Sequence, residues 1–431
     1  MSKSYIIIFV AVFISISAFS QKSDPFQIKI NGLENSEIHV PARKITHGPK
    51  HHWFGYYDKL QFDPSNRFVL CMEVDFEGRS PLPEDEIKIG MVDLEDNDKW
   101  IDLGTSKAWG WQQGCMLQFV PESDSLVIWN DRIDNQFVSH LFNIYSKEEK
   151  ILPFAIYALS PDGIHAVSTD FERIQDTRPG YGYAGIEDPN KDNLAPDNSG
   201  IYVCNLKTGD KKLIITYRQM VEMTPLADDA ANADRSTQKN WFNHLLFNTD
   251  GSRFIFLHRW KAQSKKDVGG FATLMYTSDL EGKNINLVDP SNYTSHFIWK
   301  NKTQITAWTK QQSDGNGFYV FTDGKPNETY VLNQEKMPVN GHNTYLPNFK
   351  SWILNDSYPD KDRFQHVYLY NTETDIKIPL GDFYAPEEYK GEWRCDTHPR
   401  SGNNGKMVCI DCPVDNEGRQ LILMDISKIV E

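Results

Sequence analysis

Short apolar strands alternate with polar turns along most of the chain. In each such segment, apolar and polar positions alternate, a turn rich in Asp, Asn, Gly or Pro follows, and a second apolar run leads away. This hairpin pattern occurs seven times, at 57–76, 114–132, 154–173, 242–260, 293–310, 340–357 and 393–411. A degenerate repeat of roughly 45 to 90 residues that begins with a hairpin is typical of a β-propeller. The pattern therefore predicts an all-β, single-domain protein with seven blades.

The repeats assign residues 46–431 to the propeller and leave 21–45 as an N-terminal leader. The leader contains two alternating segments, FQIKI (26–30) and EIHV (37–40). In many propellers an N-terminal strand completes the last blade and closes the ring. One of these two segments is expected to do so here.

Two stretches interrupt the rhythm of the repeats. Residues 174–199 are rich in Pro, Gly, Asp and Asn, and residues 217–241 begin with a short helical pattern. Both are predicted to be insertions in the third blade. Long loops inside a compact domain often carry function. The Tyr181-Gly-Tyr183 segment of the first insertion predicts an ordered lip over a pocket.

The first twenty residues have the features of a secretory signal peptide. A Lys precedes an apolar run, and Ala18-Phe19-Ser20 provides a small-x-small cleavage site before Gln21. No later segment is apolar enough to span a membrane. The mature protein is therefore expected in the periplasm or outside the cell.

The amino-acid composition argues against nucleic acid as a binding partner and is compatible with a sugar. The net charge is −14, and no basic cluster is dense enough for nucleic-acid binding. The 11 Trp, 19 Tyr and 24 Phe suit both sheet packing and stacking on sugar rings. Most of the six cysteines fall in predicted strands, where buried thiols are expected.

Aligning the seven copies places polar residues at the same points near the ends of the inner strands. In a propeller these positions converge on the central channel. His244, His296, His342 and His398 come from four consecutive blades, and Asp396 adds a carboxylate. Such a set could bind a divalent metal. A hydrogen-bonded structural channel would use the same residues, and no cofactor is otherwise required.

Other polar and aromatic residues are candidates for binding a glycan. Trp111 is followed by Gln112 and Gln113, which together could stack on a sugar and bind its hydroxyls. Arg132 and Arg259 follow second strands of hairpins, where an arginine has a strong preference for an oxyanion. His52 flanks the first copy.

The third copy carries a resemblance to known enzymes. Tyr157, then Arg173, then the run Arg178-Pro-Gly-Tyr-Gly-Tyr183 resembles one blade of the propeller polysaccharide lyases. These are the ulvan lyases and the lyases that cut rhamnose from glucuronic acid, with a related rhamnosidase family of the same fold. More distantly, SPDG (160–163) and DTHP (396–399) are similar to segments of oligogalacturonate lyases and TolB-like propellers.

The resemblance implies an acidic polysaccharide or oligosaccharide as substrate, cleaved by β-elimination. It implies a Tyr and a His for the acid and base work, with Tyr157 as the Tyr, and His244 is the preferred histidine of this chain. Arg173, with Arg259 or Arg132, would bind the uronate carboxylate. The sugar would then be held by the remaining candidates, Trp111, Gln112, Gln113, His52, Arg178 and Tyr183.

One departure from the lyase pattern concerns the second copy. The catalytic His of those lyases is expected about 45 residues before the Tyr, where this chain has Gln112 and Gln113. An amide cannot titrate. Another histidine would have to take the role, with His52, His140 and His244 as candidates.

Two other functions remain open at the level of sequence. A glycoside hydrolase acting on the same kind of glycan would need a pair of carboxylates, and the strand ends offer several. A propeller that only binds a glycan or a protein would need no catalytic group, because a fold does not determine its function.

Overall fold

A computed structural model describes residues 26–223, 235–261 and 270–431. It confirms an all-β protein with seven blades arranged as a β-propeller. The predicted signal peptide, residues 1–20, lies outside the described residues, and so does part of the second insertion.

Each blade is an antiparallel sheet whose first strand lies nearest the central channel. The chain starts with two short leader strands, β1 (Glu37–Ile38) and β2 (Ala42–Lys44). Blade one comprises β3 (His51–Trp53), β4 (Phe68–Val74), β5 (Ile87–Asp93) and β6 (Lys99–Ser106). Blade two comprises β7 (Gln118–Phe119), β8 (Leu126–Ile133), β9 (Gln136–Asn143) and β10 (Glu149–Leu152). Blade three comprises β11 (Ala158–Leu159), β12 (His165–Ser168), β13 (Gly200–Asn205) and β14 (Lys211–Thr216).

The remaining four blades follow the same plan. Blade four comprises β15 (Asn240–Phe247), β16 (Arg253–Lys261), β17 (Phe271–Asp279) and β18 (Asn286–Asp289). Blade five comprises β19 (Phe297–Trp299), β20 (Gln304–Gln311), β21 (Gly315–Thr322) and β22 (Lys325–Val331). Blade six comprises β23 (Thr344–Leu346), β24 (Phe349–Asn355), β25 (Phe364–Asn371) and β26 (Ile376–Tyr384). Blade seven comprises β27 (Arg400–Ser401), β28 (Met407–Val414) and β29 (Gly418–Asp425).

The leader closes the ring, although neither of the two expected segments is the closing strand. Strand β2 pairs antiparallel with β29 and becomes the outer strand of blade seven. Strand β1, which lies in the segment 37–40, adds a fifth strand to blade six. The segment 26–30 contributes a single bridge from Gln27 to Ala42. The leader therefore ties the last two blades together.

The core lies between the blades, because each blade packs on its neighbours with both faces. Strand β4 is buried along almost its whole length, and so are β16 and β28. A sheet that is covered on both faces is apolar on both faces. This is why the second strand of each copy is a continuous apolar run. All six cysteines are buried thiols.

The first insertion begins with helix α1 (Phe171–Thr177), between β12 and β13 of blade three. Helix α2 (Tyr217–Glu222) begins the second insertion and follows the last strand of that blade, so this insertion connects blades three and four. A 3-10 turn (Gly391–Trp393) precedes β27, and α3 (Ser427–Val430) ends the chain. Within the described residues, no helix is long and apolar enough to cross a membrane.

Candidate functional site

Four histidines from four consecutive blades meet at the channel. His296, His342 and His398 come just before the inner strands β19, β23 and β27, and His244 lies within β15. The rings of His296 and His342 are 4.2 Å apart between centroids, and those of His342 and His398 are also 4.2 Å apart. All four side chains are at most 6% exposed. The convergence expected from the repeat is therefore present.

The hydrogen bonds of His342 show which of its nitrogens faces the cluster. Its Nδ1 lies 2.9 and 3.0 Å from the two carboxylate oxygens of Asp356. A carboxylate only accepts hydrogen bonds, so Nδ1 carries the proton and Nε2 presents a lone pair. In His296, Nδ1 lies 3.0 Å from Oδ1 of Asn340, and Nε2 lies 3.4 Å from the hydroxyl of Tyr358.

Two buried nitrogens of the cluster have no hydrogen-bond partner among the described residues. They are Nε2 of His342 and Nε2 of His398. An unpaired buried polar atom is costly, so a missing ligand is the natural explanation. The side chains of His342, Asp396 and His398 each offer one ligand atom, and these atoms lie within 4.8 Å of one another. Two imidazoles and a carboxylate, with His296 beside them, are a donor set that fits a divalent transition metal.

The protonation of two histidines of the cluster, His296 and His398, agrees with metal binding. Burial lowers the pKa of His296 and His398 well below the usual range, and neighbouring cationic groups lower it further. Both rings are then neutral at neutral pH, which is the form that binds a metal. Burial also opposes protonation of His342, but the Asp356 carboxylate outweighs it and raises the pKa of that ring.

His244 occupies a strained position in blade four. The pairing of β15 with β16 shifts between Asn243 and Leu246, and His244 has a φ of +54°. A bulge of this kind bends the strand and redirects a side chain. The ring of His244 consequently stacks on that of Tyr56, with 5.2 Å between centroids.

The tautomer of His244 follows from its neighbours. The backbone N–H of His244 donates to the hydroxyl of Tyr157 over 2.7 Å, and that hydroxyl donates to Oε1 of Gln113 over 2.9 Å. The amide nitrogen of Gln113 then faces Nδ1 of His244 at 3.2 Å and donates to it. Burial, with the charges of Arg259 and Arg178, lowers the pKa of His244 well below the usual range. The ring is therefore a neutral imidazole whose Nε2 carries the proton.

Tyr181 lies beside His244, and the pKa of its phenol is strongly lowered. Its ring meets that of His244 edge-on at 5.5 Å, and its hydroxyl accepts a hydrogen bond of 2.8 Å from Arg394. The guanidinium carbon of Arg178 lies 4.4 Å from the centre of the ring. Burial favours the neutral phenol, but the charges of Arg394 and Arg178 outweigh it and lower the pKa of Tyr181 to about 7. Tyr181 can therefore exist as a phenolate at neutral pH.

Two arginines beside Tyr181 have no carboxylate partner among the described residues. Arg178 and Arg259 lie against the ring of Phe271, 4.5 and 4.7 Å from its centre. Nη1 of Arg259 and Nε of Arg178 are buried and make no hydrogen bond in the described structure. Burial, together with Arg178, lowers the pKa of Arg259 to about 9, so it stays charged at neutral pH. Guanidinium groups with unpaired donors and no carboxylate partner are suited to bind a carboxylate.

Tyr181 and the arginines around it line one cleft of about 680 Å³. Its walls include Arg178, Tyr181, Arg259, Asn340, Tyr358 and Arg394. A volume of this size is typical of ligand sites. Ser295 and Asn340 also line the cleft, and both lie within hydrogen-bond distance of His296. The cleft therefore opens beside the histidine cluster.

The structure brings together about half of the residues predicted from the sequence. His244, Arg178 and Arg259 belong to the site, as do the metal candidates His296, His342, His398 and Asp396. Gln113 supports the site, because its side-chain amide donates a hydrogen bond that orients the ring of His244. The glutamine that seemed to replace a catalytic histidine in blade two thus supports a histidine from blade four.

Tyr157 does not have the role expected of it. It is fully buried, and its hydroxyl is occupied by Gln113 and by the backbone of His244. Burial raises its pKa far above neutral. Tyr157 is therefore a positioning group for the bulge at His244, and the titratable phenol is Tyr181.

Arg173 is a structural residue, in contrast to the carboxylate-binding role expected from the resemblance. Its side chain is fully buried, and Nη1 forms an ion pair of 2.9 Å with Asp188. Its other hydrogen bonds go to the carbonyls of Asn190, Asn193, Leu194 and Asn240. No donor is left for a substrate. Arg173 instead holds the first insertion against blade four.

The expected aromatic platform is part of the core. Trp111 is 2% exposed and packs against Trp53 and Trp109 at 5.3 and 5.1 Å between ring centroids. Tyr183 is fully buried, stacks on Phe171 at 4.3 Å and bonds Asn130. Neither ring can contact a sugar, because the apolar faces that would stack on one are covered by other side chains.

The remaining candidates also lie outside the cleft. His52 is held by Gln420 and Glu73, and His140 by Asp131 and Glu149. Arg132 donates to the carbonyl of Pro83. Gln112 donates to the carbonyls of Glu392 and Arg394, over 2.8 and 3.2 Å. Gln112 thus supports the segment that carries Arg394, without contacting the cleft itself.

Sequence reasoning missed Tyr181, Arg394 and Asp356 as site residues. Arg394, Asp396 and His398 are spaced by two, and side chains two apart lie on the same side of an extended segment. That spacing could have identified Arg394. Tyr181 lies two residues from Tyr183 in the same segment, and the sequence alone does not distinguish the two.

The chain matches no protein-family model and no curated protein. It does resemble solved propellers. An oligogalacturonate lyase in complex with manganese matches with a TM-score of 0.63 and 14% identity, over 94% of this chain and 97% of that one. The oligogalacturonate lyase of Vibrio parahaemolyticus matches with a TM-score of 0.59 and 14% identity, over 92% of this chain and 98% of that one. At such identity the likeness shows the fold.

The comparisons also correct the expected resemblance. They support the oligogalacturonate lyases, which were the more distant expectation from the sequence. They give no support to the ulvan lyases or to the lyases that cut rhamnose from glucuronic acid. The motif around Tyr157 and Arg173 carried that expectation, and both residues prove to be structural.

Proposed function

We propose that this protein is a polysaccharide lyase that cleaves a uronate-containing glycan by β-elimination with the help of a divalent cation. One observation carries the proposal. A phenol with a pKa of about 7 and two arginines without carboxylates line one cleft, and a neutral imidazole with its proton on Nε2 packs against that phenol, beside a metal-type donor cluster. The likeness to two oligogalacturonate lyases, one of them in complex with manganese, supports the same class.

β-Elimination at a uronate makes three demands on the site. The carboxylate must be neutralised so that the proton on C5 becomes acidic. A base must take that proton, and the oxygen that leaves C4 must be stabilised as a double bond forms between C4 and C5. Each demand has a candidate residue in the cleft or directly beside it.

Arg178 and Arg259 are assigned to the carboxylate. Their charge and unpaired donors would hold it and stabilise the negative charge that builds up on its oxygens as the proton leaves. A divalent cation held by His342, His398 and Asp396, with His296 adjacent, would supply further neutralisation of that carboxylate. The cluster and the arginine pair lie beside the same cleft, so both can act on one sugar residue.

Tyr181 is assigned as the base that takes the proton from C5 and passes it to the oxygen that leaves C4, and His244 as the hydrogen-bond donor to that oxygen. The phenolate of Tyr181 is available near neutral pH because Arg394 and Arg178 stabilise it. The proton on Nε2 of His244 is available because Gln113 occupies the other nitrogen. With 5.5 Å between their rings, both groups can reach one sugar residue.

The site does not favour a hydrolase. Hydrolysis of a glycoside uses a pair of uncommitted carboxyl groups. Asp396 accepts a hydrogen bond of 2.7 Å from Arg394. Asp356 accepts hydrogen bonds from Nδ1 of His342 and from the backbone N–H of His398. Both carboxylates that lie next to the cluster are thus already engaged.

We further propose that the protein acts outside the cytoplasm on an acidic polysaccharide or oligosaccharide. The support is the apolar N-terminal run with its cleavage site, in residues outside the described structure. Cell fractionation, with N-terminal sequencing of the mature chain, would test export. A protein that retained Met1 in the cytoplasm would contradict it.

A panel of uronate polysaccharides tests the proposed function. Purified protein with added Mn²⁺ is expected to release products with the ultraviolet absorption of an unsaturated uronide. Tyr181→Phe should abolish that signal, whereas Tyr145→Phe, on a 63% exposed ring far from the cleft, should keep it. Reducing ends without ultraviolet absorption would show a hydrolase, and binding without turnover would show a binding propeller.

A further inference from the structure

A second cleft adjoins the first at blade five. It has a volume of about 570 Å³, and its lining includes Ser291, Tyr293, Lys310 and Gln311. Tyr293 lines both clefts, so they meet at this ring. Tyr293 comes only three residues before His296, which places their Cα atoms at most about 11 Å apart. The second cleft therefore starts within one or two sugar residues of the histidine cluster.

Hydrogen bonds to the buried carboxylate of Asp289 fix the loop that carries Tyr293. Asp289 is fully buried and accepts hydrogen bonds from Ser291, Thr294, Thr309 and Gln311. Ser291 contributes both its backbone N–H, over 3.0 Å, and its hydroxyl, over 2.9 Å. The backbone N–H of Tyr293 in turn donates to that hydroxyl over 3.2 Å. A ring on such a loop is preorganised for binding, because little conformational freedom remains to be lost.

The surface of this second cleft combines a ring and a charge. Tyr293 is 41% exposed. The ammonium group of Lys310 lies 5.2 Å from the centre of its ring. No carboxylate of the described residues lies within ion-pair distance of Lys310. An exposed aromatic ring offers a face to a sugar, and the unpaired ammonium beside it offers a partner for a carboxylate.

We infer that Tyr293 and Lys310 form a subsite for a second uronate residue of the same glycan. Tyr293 stacks on the sugar ring and Lys310 pairs with its carboxylate. This inference rests on the proposed function, since it takes the residue that is cleaved to lie against Arg178 and Arg259. It makes the preferred substrate an oligomer with several uronates and gives Tyr293 and Lys310 a role in specificity for chain length.

The test compares galacturonate oligomers of two and six residues as probes. Lys310→Gln and Tyr293→Ala should each raise KM for the hexamer about ten-fold, as expected for the loss of one charge-assisted hydrogen bond or one stacked ring. The kcat of Lys310→Gln on both oligomers should stay unchanged, because Lys310 lines the second cleft and not the first. Lys361→Gln, which alters a side chain 88% exposed on blade six, is the matched control. Unchanged KM for the hexamer in both variants would overturn the subsite.

Calorimetric binding separates failure of the subsite from failure of the proposed function. If the wild-type protein cleaves neither oligomer, the lyase proposal fails for galacturonate, and the subsite is judged from binding of the hexamer alone. Weaker binding by Lys310→Gln than by wild type supports the subsite, whereas equal binding or none overturns it. A methyl-esterified hexamer should bind both proteins alike, because the contact with Lys310 requires a free carboxylate.

Discussion

The pKa of Tyr181 is set by two cations that the fold places beside it, Arg394 and Arg178. A phenol has an ordinary pKa near 10. Burial would raise this value, yet Arg394 and Arg178 lower the pKa of Tyr181 to about 7. Perturbed titratable groups in a cleft are typical of functional sites. The same shift has consequences for both activity and stability.

Tyr181→Phe should reduce the elimination rate by a factor of about 10² to 10⁴, because a positioned general base is lost. In the wild-type protein, activity should rise with pH through about 7 as the phenolate forms. The pH–rate profile of kcat/KM checks this. A profile without a rising limb near that pH would contradict the assignment of Tyr181 as the base.

The stability of the protein should depend on Tyr181 with a definite sign. Its pKa is lower in the folded protein than in the unfolded chain, so ionisation favours folding. This contribution is complete above pH 10, declines as the pH falls towards about 7, and is absent below that. Denaturant unfolding of wild type and Tyr181→Phe between pH 6 and 10, roughly the span of the two pKa values, should show the difference growing with pH. A constant difference would contradict the shift.

Asp356 supports two of the proposed metal ligands at once. It fixes the tautomer of His342 and accepts from the backbone N–H of His398 over 3.2 Å. Asp356→Asn should weaken Mn²⁺ binding about 10- to 100-fold, as is usual when a group behind a metal ligand is changed. Titration calorimetry with Mn²⁺ measures the loss. Asp131→Asn, which alters an equivalent Asp–His pair with His140 in blade two, should leave the affinity unchanged.

At the scale of elements, the inner strands of the propeller are the least regular ones. In blades two, three and seven they are only two residues long, and in blade four the inner strand contains a bulge. Met116, His244 and His398 have φ angles of +57°, +54° and +40°. A non-glycine residue in this region of φ is uncommon and is frequent at functional sites. Irregular inner strands thus turn side chains towards the channel.

The first insertion depends on Arg173 for its attachment to blade four. Arg173→Ala would leave Asp188 with Lys239, 2.8 Å away, as its remaining cation, and would leave several carbonyl groups without a donor. The free energy of unfolding should fall by about 3 to 5 kcal/mol, because buried carbonyl groups that lose their hydrogen-bond donor are costly. Denaturant unfolding measures the change. Arg218→Ala, which removes a half-exposed side chain from helix α2, should alter it by no more than about 0.5 kcal/mol.

At the scale of the whole molecule, the histidine cluster joins blades five, six and seven, while the leader ties blades six and seven from outside. A bound cation would therefore connect sheets that are far apart in sequence. Binding to the folded state alone stabilises a protein, by about 2.7 kcal/mol when the free ligand is at one hundred times its Kd. The cluster should thus contribute to the stability of the ring as well as to catalysis.

Chelation should accordingly lower both activity and Tm. EDTA-treated protein should unfold at a lower temperature than protein with Mn²⁺, and added Mn²⁺ should restore Tm and turnover together. Differential scanning calorimetry and the ultraviolet assay measure the two effects. The Asp356→Asn variant should need a higher Mn²⁺ concentration for the same recovery. Equal Tm with and without the cation would contradict binding at the cluster.

The alternation of apolar and polar residues by itself determined the seven-bladed propeller and the convergence of His244, His296, His342 and His398. Strand patterns and hairpin turns are local, and the repeat imposes the ring that brings equivalent positions together. Only the tertiary structure decided which polar residues face the cleft. Some candidates are buried away from the cleft: Tyr157, Tyr183, Trp111 and Arg173. Others line it: Arg178, Tyr181 and Arg259. The difference depends on the bulge in β15 and on the first insertion. Both are set by contacts between blades, because the partners of these side chains lie far away in the sequence.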